Sequence, residues 1–115
     1  MITAGQFVDL LKDFAPRLLV IVHDNNSNTV VPINNVWISD NGKRVYVIYV
    51  EGDENYWYTG DLWNQLESYK NNLEVRFVAF AKDGNTVITE FELDDFGHRV
   101  YLDNLNQDVF MISGI

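Results

Sequence analysis

Phe7, Leu10, Leu11 and Phe14 follow the i, i+3, i+4, i+7 spacing of a single helical stripe. Thr3 and Gln6 stand ahead of it, spaced as a capping box requires. Ala15-Pro16 closes it, because the residue before a proline avoids the helical region. The pattern predicts a helix near residues 4–14. The period then changes. "RLLVIVH" (17–23) is short and β-branched, "HDNNSN" is a cluster of turn formers, and "TVVPINNVWIS" is extended but interrupted by Pro32. "DNGK" (40–43) reads as a hairpin turn, and "RVYVIYV" (44–50) as a strand apolar on both faces.

A similar order follows. Leu62, Leu66 and Tyr69 carry a second helical stripe near residues 60–71, with Trp63 beside it. Thr59 or Asp61 offers an acceptor at its start. "NLEVRFVAF" (72–80) places Leu73, Val75, Phe77 and Ala79 on one face. "DGN" turns the chain. "TVITEFEL" (86–93) sets Phe91 and Leu93 against Glu90, Glu92 and the following Asp94. "DDFGH" reads as another turn before "RVYL", and "DVFMISGI" (108–115) as a last strand at a sheet edge.

"DNGKRVYV" (40–47) and "DFGHRVYL" (95–102) match at five of eight positions, 55 residues apart. Gly5/Gly60, Leu11/Leu66, Leu18/Leu73 and Val20/Val75 share that offset. "NTVV" (28–31) and "NTVI" (85–88) depart from it, and the extra residues fall around residues 32–35 and 79–83. The expected fold is therefore α+β. It is an internal duplication of an α-β-β-β unit, two helices packed on antiparallel sheet or sheets about a pseudo-twofold. Repeat 1 covers about residues 3–50 and repeat 2 about 59–103, with an edge strand near 108–113, all in a single domain 1–115.

Charge narrows the function. The formal net charge is −9, with ten of the seventeen acidic residues in 56–115. That balance disfavours direct binding to nucleic acid or to an anionic membrane, since both need Lys and Arg. There is no cysteine, hence no disulfide, thiol nucleophile or Cys-based metal site. No signal peptide or apolar span is visible, and the expected location is cytoplasmic. His23-Asp24 lacks further ligand spacing. Asp94-Asp95 are neighbours on a strand and point to opposite faces. "DFG" (95–97) lacks the rest of a kinase signature. These residues give no catalytic or metal site and no cofactor, and the expectation is a non-enzyme.

Two acidic features remain. "NYWYTGDLW" (55–63) crowds aromatics beside Glu51, Asp53 and Glu54, a composition suited to protein contacts. Glu51, Asp53, Glu54, Tyr56 and Trp57 form the first candidate surface. Glu90, Glu92 and Asp94, about 7 Å apart along one strand face, form the second and match the spacing of nucleic-acid phosphates. Trp37 alternates against Val36 and Ile38 and is either an exposed anchor or cover for a second sheet face.

"FVDLLKDFAP", "LLVIVHD", "PINNVWIS" and "KRVYVIYV" together resemble a pattern of small bacteriophage-encoded proteins of unassigned function, over residues 3–50. The resemblance implies a phage setting, a host cytoplasm and no catalytic residues. The functional expectation is an acidic protein-binding module that inhibits a host protein, itself basic or nucleic-acid-binding, with nucleic-acid mimicry as one route. A structural or self-associating phage protein, as a homodimer through strand 108–115, is the alternative. An unrecognised enzyme is a third.

Overall fold

The first helix starts where its cap predicts. In the computed structural model, which describes residues 1–115, Thr3 Oγ1 accepts from the Gln6 N–H (3.3 Å) and Gln6 Oε1 from the Thr3 N–H (2.9 Å). This capping box opens α1 (Ala4–Lys12). At α2 (Thr59–Glu67) the acceptor is Asp61, whose carboxylate takes the Tyr58 N–H at 3.0 Å. Thr59 donates instead, to the Ala15 carbonyl at 2.5 Å.

The strands are β1 (Ile2–Thr3), β2 (Leu19–Asp24), β3 (Thr29–Pro32), β4 (Asn35–Ile38), β5 (Arg44–Val50), β6 (Glu74–Phe80), β7 (Val87–Leu102) and β8 (Gln107–Gly114). They form one curled sheet in the order β3-β2-β8-β7-β6-β5-β4, with β1 added against β6. The fold is α+β, but the sheet is mixed rather than antiparallel. β5 pairs parallel with β6, and β2 with β8. The physical reason for the first pair is α2, which carries the chain from the end of β5 back to the start of β6.

Two other expectations are corrected. "DDFGH" is not a turn: β7 runs through it as one strand, with only a register shift between Leu93 and Gly97. Its glycine has no positive φ, unlike Gly42 at +67° in the "DNGK" turn. A Cβ on Gly97 would lie 2.3 Å from Phe110 Cζ, so glycine is required there by packing. In the "DNGK" turn the Asn41 side chain takes the Lys43 N–H, at 3.0 Å. The second correction concerns β8. It is not an edge strand but lies between β2 and β7, and Val109, Phe110 and Ile112 are fully buried. A strand apolar on both faces belongs in the sheet interior.

These two glycines give a test. Gly97→Ala should destabilise the fold by about 1–3 kcal/mol through overpacking. Gly42→Ala, with nothing within 4 Å, should cost roughly 1–2 kcal/mol through its left-handed backbone. Only the Gly97 effect should shrink when Phe110 is cut to alanine, as a double-mutant cycle in urea would show.

One face of the sheet carries the core. Phe7, Leu11, Leu62 and Leu66 of the helices meet Val20, Val47, Val75, Phe77, Phe91 and Phe110 of the strands. Helix and strand ends are joined by a set of matched bonds. The Ala4 N–H reaches the Leu73 carbonyl (2.8 Å) and the Thr59 N–H the Leu18 carbonyl (2.9 Å). The Gly5 N–H reaches Asn71 (3.0 Å) and the Gly60 N–H reaches Pro16 (2.9 Å). Ile2 pairs with Val75, and the Val20 N–H reaches the Trp57 carbonyl (3.2 Å).

The strand pattern breaks where the sequence offset changes. Ile33-Asn34 separates β3 from β4, and the β6–β7 ladder shifts register between Ala79 and Phe80. Buried Asn34 is fully used. Its amide donates to the Val50 (3.1 Å) and Asp53 (3.2 Å) carbonyls, and its oxygen accepts the Val50 N–H (3.0 Å). No helix is long and apolar enough to cross a membrane.

The β6–β7 turn is held by Asp83. Its carboxylate accepts from the Thr86 hydroxyl (2.6 Å) and from the Thr86 and Asn85 N–H groups (2.8 Å each). These bonds, the Thr86 hydroxyl foremost, lower its pKa from 3.8 to about 2. A depressed carboxylate pKa gives stability that is present above the unfolded value and lost as pH falls through the folded one. Thermal melts of the parent and Asp83→Asn should therefore differ above pH 4 and converge between about 4 and 2. A difference that persists unchanged at pH 2 contradicts this role.

Candidate functional site

Alternation along β4, β5, β6 and β7 puts Val36, Val47, Phe77 and Phe91 into the core. It leaves their neighbours on the outer face of the sheet. Trp37 stands opposite Tyr46, with ring centroids 6.4 Å apart, and Ile48 lies beside Val78. Phe80 faces Val87 across the bulge. These six side chains form one apolar surface. Both helices pack on the other side of the sheet, and Trp37 is 49% and Val87 53% exposed. Two shallow depressions of about 310 and 280 Å³ share Trp37 and Phe80 as a wall. The β4 edge beside them is open, since β5 is its only strand partner.

Acidic groups border this surface. Asp40 and Glu90 line the second depression. Glu90 is exposed and Glu92 partly buried on the outer face, and Asp94, also partly buried, follows where the β7–β8 register shifts. Arg76 sits among them, 3.2 Å from Glu90, 3.6 Å from Glu92 and 3.4 Å from Glu74. Glu74 also meets Arg44 at 3.0 Å. Arg76 thus interrupts the negative row with a positive charge, so phosphate-like spacing alone does not make this face a run of bare anions.

The other expected patch is elsewhere. Glu51, Asp53, Glu54 and Tyr56 are exposed in the link between β5 and α2. Trp57 is partly buried and packs against the core, with its backbone N–H bonded to the Ile33 carbonyl (3.1 Å). Tyr58 bridges to Leu19 of β2, so this link runs beside β2 and closes no hairpin with β5. The two patches do not merge: Glu51 borders the core side of the sheet, and Glu90 the outer side.

The remaining titratable candidates are dispersed. His23 Nε2 lies 2.9 Å from Asn28 Oδ1, and its Nδ1 3.5 Å from Ser113 Oγ. His98 is on β7 opposite Met111, with β8 between it and β2. No group of three His, Cys, Asp or Glu residues comes together to hold a metal ion.

The sequence reading singled out Trp37 but missed Tyr46, Ile48, Val78, Phe80 and Val87 as its companions. Their signal is present in "RVYVIYV" and "RFVAF", where both faces are apolar. On the core face Val45 and Val47 are buried under the helices, and on the outer face Ile48 and Val78 are buried by neighbouring side chains, which leaves Trp37 and Val87 exposed around them. No family model, curated protein sequence or solved structure matches the chain.

Proposed function

We propose that the protein is a non-enzymatic, acidic protein-binding module that docks through the outer face of β4-β5-β6-β7. The observation that carries this reading is Trp37, a half-exposed tryptophan on the edge strand β4 that, with Phe80, walls both depressions of an apolar surface with a carboxylate rim. Aromatic anchors in such patches supply most of an interface's affinity, and rim charges steer encounter. A net charge of −9 favours a basic partner. In the phage setting that the sequence resembles, that partner is a host protein, bound stoichiometrically and thereby inhibited.

Internal duplication supports the choice of face. We infer that the chain repeats a helix-and-four-strand unit about a pseudo-twofold, with β5 and β8 exchanged between units. The matched bonds support it: Ala4/Thr59, Gly5/Gly60, Leu18/Leu73 and Pro16/Asn71 are all 55 apart. In this alignment β5 corresponds to β8, so the "RVYV" and "RVYL" stretches are not equivalents. Trp37-Tyr46 corresponds to His98-Met111, and Ile48-Val78 to Ser113-His23. The folding demand shared by the two halves does not require an aromatic surface at these positions. The aromatic surface belongs to one half alone.

The test is affinity capture from a lysate of the bacterial host with three baits at matched concentration. They are the parent, Trp37→Ala, and Glu51→Lys/Asp53→Lys/Glu54→Lys. The expected result is a partner retained by the parent, lost by Trp37→Ala and still retained by the triple variant. Identical retention by parent and Trp37→Ala contradicts the reading. Self-association through residues 108–115 is ruled out because β8 is interior, and the open strand for that alternative is β4.

A further inference from the structure

On the core side, away from the helices, the curled sheet opens into a cavity of about 560 Å³. It lies where β2, β5 and β6 end. Val22, Val31, Tyr49, Phe77 and Phe91 form its apolar walls, and the Phe77 and Phe91 rings stack at 4.9 Å. Asp24 and Glu51 stand at its mouth with the hydroxyls of Ser27, Thr29 and Thr89. No residue of either helix, and no Lys, Arg or His, lines it.

The size is that of a small-molecule site. The charge selects the molecule. Neither Asp24 nor Glu51 belongs to any salt bridge. One Asp24 oxygen accepts the Asn26 (2.9 Å) and Ser27 (3.5 Å) N–H groups, which leaves the other oxygen open. A neutral apolar guest would cover two carboxylates without compensation, which is costly, and an anion would be repelled. A cationic head answers both carboxylates and leaves an apolar body to the walls.

We propose that this cavity binds a small organic cation, an amine carried on an apolar or aromatic body. The body rests on Val31 and Tyr49, the apolar lining residues that keep accessible surface, and the ammonium sits at the mouth between Asp24 and Glu51. The site is separate from the outer-face docking surface, on the opposite side of the sheet, and does not depend on it.

The experiment is an NMR titration of the full chain, labelled with ¹⁵N, using phenethylamine, 2-phenylethanol and phenylacetate as probes. Phenethylamine should give saturable shifts at Val22, Thr29 and Thr89, and phenylacetate none. Both the alcohol and the Glu51→Gln protein should show binding weaker by at least about tenfold. Thr89→Trp, which fills the mouth, should abolish the shifts. Should that variant unfold, Glu51→Gln decides alone, because Glu51 is exposed and makes no side-chain hydrogen bond or ion pair that the fold needs. Equal affinity for amine and alcohol, or for parent and Glu51→Gln, overturns the proposal. So does the absence of saturable shifts in the cavity.

Discussion

Phe110→Ala is expected to destabilise the protein by about 3–5 kcal/mol, the range for removing a fully buried aromatic ring. Phe110 has no exposed surface. Its ring lies 5.0 Å from Phe14, edge-on, and 6.4 Å from Phe7, so it ties β8 to α1 and the segment that follows. Its backbone lies beside Val20 on β2 and Arg99 on β7. The loss would be a large share of a typical domain stability of about 5–15 kcal/mol. The midpoint of urea unfolding measures it, with the slope checked for two-state behaviour. A cost below about 1 kcal/mol would fit a solvent-facing edge strand and contradict the interior position of β8.

Trp37→Ala should have the opposite profile, with little effect on folding and a large one on binding. Truncating a central aromatic anchor costs about 2 kcal/mol or more in affinity, roughly a 30-fold rise in Kd. Trp37 lies on the outer face, and its main aromatic contact is the tilted Tyr46 ring. Its removal leaves no core cavity. Neutralising the rim by Glu90→Gln should act mainly on the association rate, with an effect that fades as salt is raised. Glu90 also pairs with Arg76, but Arg76 keeps Glu74 and Glu92 as partners, so the fold should tolerate the change. Surface-based kinetics on parent and variants separate the two effects.

Local structure was the legible part of this sequence. The Thr3/Gln6 cap, the stripe from Phe7, the alternation in 72–80 and the Asn-Gly turn all carry their cause in a few adjacent residues. Pairing partners are set by contacts distant in sequence and are not written in any local stretch. A helix between "RVYVIYV" and "EVRFVAF" is a β-α-β pattern, and its strands are parallel for that reason. An α-β-β-β unit repeated on antiparallel sheet does not contain that crossover. Gly97 shows the same limit: a glycine after Asp and Phe looks like a turn, yet the chain needs it because Phe110 approaches from β8, thirteen residues on. The candidate surface was legible only as scattered residues, Trp37 in one place and Glu90 and Glu92 in another. The register of four strands brings them to one face, and that register is not written in any one segment.

Oxidative footprinting of side chains by hydroxyl radicals, on the protein free and bound to its captured partner, tests the docking surface most directly. It distinguishes the two aromatic patches in a single measurement. Trp37 and Val87 are both about half-exposed in the free chain, and Tyr56 on the other patch is 42% exposed, so all three report. The expected result is strong protection of Trp37 and Val87 by the partner, with Tyr56 and Trp57 modified at the same rate as before. Protection of Tyr56 and Trp57 with Trp37 still fully reactive would contradict the outer-face assignment.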